Sequence, residues 1–88
     1  MQFSIHPKHR RNNHLRAVLK ALAPNCPMLM GNWDGVLKYE PDLVYLELYE
    51  NGEPGSEEPD AVWAAFGDRP AQVIAGWLIG QLWRHWES

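Results

Sequence analysis

The side chains that most often carry chemistry occur in this chain without the spacing that catalysis or metal binding requires. His9 and His14 stand five residues apart, whereas histidines that bind zinc from one helical face stand four apart. Cys26 is the only cysteine, which excludes an intrachain disulfide and a cysteine metal cluster. The serines lie outside any Gly-x-Ser-x-Gly motif, and no phosphate-binding Gly-x-x-x-x-Gly-Lys loop is present. The sequence therefore predicts a non-enzymatic protein without a cofactor or a metal.

Acidic and basic residues are separated along the chain. Residues 33–60 contain nine acidic residues and one lysine, although the net charge of the whole chain is only −3. Residues 43–50 combine carboxylates with tyrosines, which suits binding to a basic protein surface. The candidate protein-binding residues here are Tyr45, Glu47, Tyr49, Glu50 and Glu53. The alternative is that these acids only keep a small domain soluble.

The basic residues lie in the first quarter of the chain. Residues 1–23 contain five of them and no acid. Arg10, Arg11, Arg16 and Lys20 lie on or just before a predicted helix, where they could contact phosphates. The acidic segment would repel a phosphate backbone, so nucleic acid is the alternative partner and not the leading one.

The last helix, predicted over residues 71–86, has a second face that the core does not need. Ala71, Ile74, Ala75, Leu78 and Leu82 form one apolar stripe, whereas Val73 and Trp77 point away from it. Gly76 and Gly80 lie one turn apart, and each costs up to about 1 kcal/mol relative to alanine in a helix. Two interpretations stay open. Either another segment of the chain covers Val73, Gly76, Trp77 and Gly80, or this face binds another protein or a second copy.

The segment before this helix predicts a strand and a tight turn. Residues 60–66 are short, apolar and aromatic, as in a strand, and Gly67 breaks the pattern. Asp68 is the expected N-cap, and Pro70 suits the first helical turn. The alternative is a short helix over residues 59–66.

The remaining elements follow from periodicity and turn residues. A strand over 2–6 is followed by a helix over 8–22, which Ala23-Pro24 ends, and by a connector at 25–27. Strands over 36–40 and 43–50 are joined at Pro41-Asp42. Residues 28–33 fit either a strand or a loop that ends in a turn over 31–35. Residues 51–59 form a polar loop. The expected fold is α+β, in the order (β)-α-β-β-β-α, with a small antiparallel sheet of three to four strands and two helices packed on one face.

Length and composition predict one domain over residues 1–88. Apolar residues make up 45% of the chain and charged ones 22%, which is typical of a globular protein. The uncharged run over 70–83 is shorter than the roughly 20 residues that cross a bilayer, and the N-terminus lacks the apolar core of a signal peptide. We therefore expect a cytoplasmic protein that does not bind a membrane.

The junction Phe66-Gly67-Asp68-Arg69-Pro70-Ala71-Gln72-Val73-Ile74-Ala75 resembles the strand-to-helix junction of HicB-type antitoxins, Gly-Asp-Thr-Pro-Glu-Glu-Ala. Arg69 stands where that family has threonine, and the resemblance covers about a tenth of the chain. By type, the chain is also similar to small phage and mobile-element proteins such as anti-CRISPR proteins. That similarity implies an inhibitor that binds a bacterial host protein or complex that handles nucleic acid.

Overall fold

A computed structural model of the chain describes residues 2–25, 33–50 and 58–87. They form four strands and two α-helices, with short 3-10 turns at Pro7–His9 and Ala23–Asn25. The main elements in chain order are β1 (Gln2–Ile5), α1 (Asn13–Leu22), β2 (Trp33–Glu40), β3 (Leu43–Glu50), β4 (Ala61–Phe66) and α2 (Ala71–Glu87). The predicted α+β class and element order are confirmed.

The four strands form one sheet in the order β1-β2-β3-β4. β2, β3 and β4 are antiparallel neighbours, with Leu37 opposite Leu46 and Leu46 opposite Trp63. β1 pairs with β2 in parallel, because α1 carries the chain back across the sheet before β2 begins. The sheet is therefore mixed, and β1 and β4 are its two edges.

Both helices pack on one face of the sheet. Leu37, Leu46 and Leu48 point to this face because alternate residues of neighbouring strands share it. They form one buried cluster with the apolar stripes of the helices, which consist of Leu15, Val18 and Leu22 in α1 and Ile74, Ala75, Leu78 and Leu82 in α2. The predicted core stripe of the last helix is thus confirmed, with Ala71 half-buried at its start.

The first helix is shorter than the sequence predicts. Residues 8–12 are not α-helical, and α1 begins at Asn13. The Asn12 side chain accepts a hydrogen bond from the Leu15 N–H (3.0 Å), which makes Asn12 the N-cap. Before it, the His6 ring accepts from the Lys8 N–H (3.2 Å) and starts a separate 3-10 turn. Two local caps therefore divide one predicted helix into two elements.

Of the two interpretations of the segment before β2, the loop that ends in a turn over residues 31–35 is wrong at Trp33, Asp34 and Gly35, which are the first residues of β2. The rest of that turn lies outside the described residues. A glycine is needed at position 35 of this strand because the Phe3 ring occupies the space where a side chain would lie. A Cβ at position 35 would lie 2.6 Å from Phe3 Cδ1. The glycine therefore makes room for a neighbouring side chain within the sheet.

The strand, turn and helix at the end of the chain are confirmed, and the alternative helix over 59–66 is wrong. The N-cap prediction is wrong as well, because α2 begins at Ala71 and the Ile74 N–H donates to the Pro70 carbonyl (3.1 Å). Pro70, and not Asp68, occupies the capping position. Among the described helices, none is long and apolar enough to cross a membrane.

Candidate functional site

The outer side of β4 and α2 carries an apolar surface that we call the apolar edge. It consists of Val62 and Phe66 on the free edge strand β4, where the register assigns them to the sheet face away from the helices, and of Val73 and Trp77 on α2. Their exposed fractions are 48%, 64%, 56% and 43%. Phe66, Val73 and Trp77 line a groove of about 290 Å³ whose rim includes Arg69. The Arg69 guanidinium lies 5.6 Å from the centre of the Phe66 ring. Exposed apolar side chains of this size, gathered around one groove, are typical of a binding surface.

The outer backbone of β4 adds hydrogen-bonding groups to this surface. The Gly67 N–H donates to the Asp42 carbonyl (2.8 Å), so residues 42 and 67 form a hydrogen-bonded pair. Such pairs alternate along antiparallel strands, which directs the N–H and C=O groups of Val62, Ala64 and Phe66 away from β3. Within residues 2–25, 33–50 and 58–87, no strand pairs with this side of β4.

The two helical glycines face open space. A Cβ built on Gly76 or on Gly80 has no atom of another element within 4 Å. In the described part of the chain, no segment covers these glycines, Val73 or Trp77, so the interpretation that the chain itself fills this notch finds no support there.

The acidic, tyrosine-bearing candidates do not form a comparable open surface. Tyr45 is half-buried and Tyr49 is only 3% exposed. Glu47 is largely buried and bound to the Lys38 ammonium (2.6 Å). Glu50 is exposed, and its N–H donates to the Asp60 carboxylate (2.7 Å). Glu53 lies outside the described residues.

Pairing and burial change the proton affinities of this group. The hydrogen bond to Glu47 raises the pKa of Lys38. Burial, followed by the negative charge of Glu47, raises the pKa of Tyr49. The Glu47 carboxylate is therefore paired with the neighbouring strand β2 within the sheet.

The opposite edge of the sheet carries a basic groove. Arg10, Arg16 and Lys20 line a depression of about 640 Å³ beside β1, together with Ser4, Ile5, Leu19, Ala23 and Pro24. The structure thus brings together three of the four basic candidates. Arg11 is exposed but does not line this groove. No acidic residue is among the lining residues that the structure describes.

The described residues offer no arrangement for metal chemistry. The rings of His6 and His9 have centroids 6.1 Å apart, and His6 Nδ1 already accepts a hydrogen bond. In the described ranges, no three histidine, cysteine, aspartate or glutamate side chains are grouped to hold an ion.

Sequence reasoning missed two features. The sequence predicts the strand that contains Val62 and Phe66, but not that these two side chains are exposed, because the pattern of one strand does not show which of its sides is covered. A second feature is an aromatic cluster at the end of α2, where Trp86 lies 5.0 Å from Trp33 and His85 lies 5.5 Å from Trp63 between ring centroids. Trp86 stands four residues after Leu82, the last residue of the core stripe, and this spacing is the sequence signal for the cluster.

No family model, no curated protein and no solved structure matches this chain. The similarities to HicB-type antitoxins and to anti-CRISPR proteins therefore stay predictions. What the molecule can bind has to follow from its own surfaces.

Proposed function

We propose that this chain is a non-catalytic protein-binding module that uses the apolar edge. The observation that carries the proposal is the notch at Gly76 and Gly80, which lies beside the exposed Trp77 and has no filling side chain among the described residues. Two glycines weaken a helix by about 1 kcal/mol each. A close approach by another molecule accounts for that cost.

The predicted role as an inhibitor of a bacterial protein complex is compatible with this surface, although the surface alone does not require that role. An inhibitor of a bacterial complex that handles nucleic acid would need a firm hydrophobic contact, and exposed tryptophan is favoured at such contacts. The site residues proposed for it are Val73, Gly76, Trp77 and Gly80, with Val62 and Phe66 added. Tyr45, Glu47 and Tyr49 become supporting residues of the sheet.

Affinity capture from a bacterial lysate tests the proposal. We expect the tagged chain to retain a stoichiometric protein, and Trp77→Arg to lose it. Ala17→Arg is the control, because it adds the same charge at an exposed position of α1, away from the notch. Capture that is unchanged by Trp77→Arg would overturn the proposal, as would a chain that retains no protein and does not associate with itself.

The basic groove supports a second candidate function, binding to nucleic acid. Three cations converge on one depression, as phosphate contacts require. Fluorescence anisotropy with a short DNA duplex tests it. Binding should weaken steeply with salt and be lost when Arg10, Arg16 and Lys20 are all changed to glutamate. Arg11→Glu, outside the groove, should retain most of the affinity, and equal losses in both variants would exclude the groove as the site.

A further inference from the structure

The free side of β4 can pair with an identical strand. Val62, Ala64 and Phe66 each direct one N–H and one C=O outward, at alternate positions. In an antiparallel pair with Ala64 opposite Ala64 of a second copy, Phe66 lies opposite Val62 of that copy. All three positions then form hydrogen-bonded pairs, and each aromatic ring meets a β-branched side chain, which is a favourable cross-strand pair.

The outer face of α2 is complementary to itself. Trp77 and Gly80 lie on either side of the point between residues 78 and 79. When two such helices cross antiparallel at that point, Trp77 of each copy lies over Gly80 of the other. No atom of another described element occupies that space, so the indole can enter it. Helices pack at about 8–10 Å and strands pair at about 4.8 Å, so α2 can meet its copy above the joined strands.

The exposed apolar area supports this occupant. By the 150–250 Å² that one aromatic side chain can bury, the exposed parts of Phe66 and Trp77 offer roughly 150–270 Å² per chain, or about a quarter of what each partner contributes to a standard interface. Val62, Val73 and the backbone of β4 add to this.

We infer that the apolar edge binds a second copy of this chain, giving a twofold dimer with a continuous eight-stranded sheet. The inference rests on the proposed function, because it names the partner of the same surface. The twofold axis passes midway between the two Ala64 residues and midway between the two α2 helices, at the level of residues 78 and 79. Each copy supplies both the tryptophan and the notch that receives it.

Sedimentation velocity over about 1 μM to 1 mM tests the dimer, a range that brackets weak and moderate affinities. We expect a species of twice 10.1 kDa that dissociates on dilution. Trp77→Arg should raise the dissociation constant at least about tenfold, whereas Ala17→Arg, on the exposed side of α1, should leave it within about twofold. Gly80→Ala provides a second variant that keeps α2 helical and fills the notch, and it should also weaken the dimer.

A disulfide test fixes the register. Ala64→Cys, in a Cys26→Ala background, should form a covalent dimer on oxidation, because hydrogen-bonded strand pairs hold their Cα atoms about 5.5 Å apart, within the range that a disulfide spans. Ser4→Cys, on the other edge, should not.

The outcomes separate the two proposals. A chain that stays monomeric at 1 mM, yet loses a lysate protein on Trp77→Arg, overturns the dimer and keeps the binding module. If neither the mass in sedimentation nor the affinity capture changes in Trp77→Arg, both the dimer and the binding module are overturned.

Discussion

β1, at one edge of the sheet, is four residues long and adjoins Arg10, Arg16 and Lys20, whereas β4, at the other edge, is six residues long and carries no charge. Natural sheets protect an edge strand by keeping it short or by placing charges and proline beside it. β1 has all of these, with Pro7 two residues after its end. β4 has none of them along its length.

Glycine has opposite roles on the two sides. Beside β1, the missing side chain of Gly35 makes room for the Phe3 ring. Beside β4, the missing side chains of Gly76 and Gly80 leave space that no described element enters. The same residue type thus completes the packing at one edge and leaves it unfinished at the other. An edge that is complete stabilises the monomer, and one that is incomplete is available to a partner.

Gly35→Val should give the largest effect, at the filled edge. The new side chain collides with Phe3, and such overpacking costs about 2–3 kcal/mol. Urea denaturation measures this loss in the free energy of unfolding. In a Phe3→Ala background the cost should fall by more than half, and an undiminished cost there would show that Phe3 is not the obstacle.

Lys38→Met should give the next largest loss of stability, because it removes the partner of Glu47 in the middle of the sheet. Glu47 then stays largely buried without its partner, which costs about 1–3 kcal/mol at neutral pH. Glu47→Gln combined with Lys38→Met should recover part of the loss in the same denaturation assay. A single variant as stable as the parent would show that water replaces the ammonium.

Lys38 and Tyr49, which both lie beside Glu47, determine how the stability should respond to high pH. The folded pKa values of Lys38 and Tyr49 are both raised, so their contribution to stability is complete below the unfolded values near 10 and is lost as the pH rises through the folded values. Tyr49→Phe should flatten the decline above about pH 10 without removing it.

Gly76→Ala and Gly80→Ala, on the outer face of α2, should change the stability of the monomer in the opposite direction. Each should stabilise the monomer by about 0.5–1 kcal/mol, because alanine favours the helix and its Cβ meets nothing in the described chain. Thermal denaturation of dilute protein measures the gain, and the same variants should bind their partner less well. Destabilised monomers would mean that an intramolecular contact fills the notch.

The smallest effect should be found at His6, which starts the turn after β1. Partial burial, with the charges of Lys38 and Lys8, holds the pKa of His6 below its usual range. Its contribution is therefore present above about pH 6.5 and is lost as the pH falls through the lower folded value. NMR titration should give a midpoint below that of the urea-unfolded chain. Equal midpoints would contradict the prediction.

Features that follow a periodic pattern within one helix or strand could be predicted from the sequence, whereas features that depend on contacts between distant residues could not. The apolar stripe of α2 and the alternation in β3 have a period, so the fold class and the core residues could be predicted. Gly35 reads as a turn until Phe3, more than thirty residues earlier, is placed beside it. The exposure of Val62 and Phe66 likewise depends on β4 being an edge, which no local pattern records. Tyr49 looked like a surface anchor because alternation assigns a face but not what covers it.

The composition of β4 also has a consequence for handling the protein. Ala61–Phe66 is a six-residue stretch with aromatic and apolar side chains, no charge and no proline, which is the signature of a segment prone to amyloid-like stacking. If a partner normally covers this strand, a variant that only loses the partner exposes it. Purified Trp77→Ala should then precipitate on storage where Trp77→Arg does not, because an added charge acts as a gatekeeper against edge-to-edge aggregation.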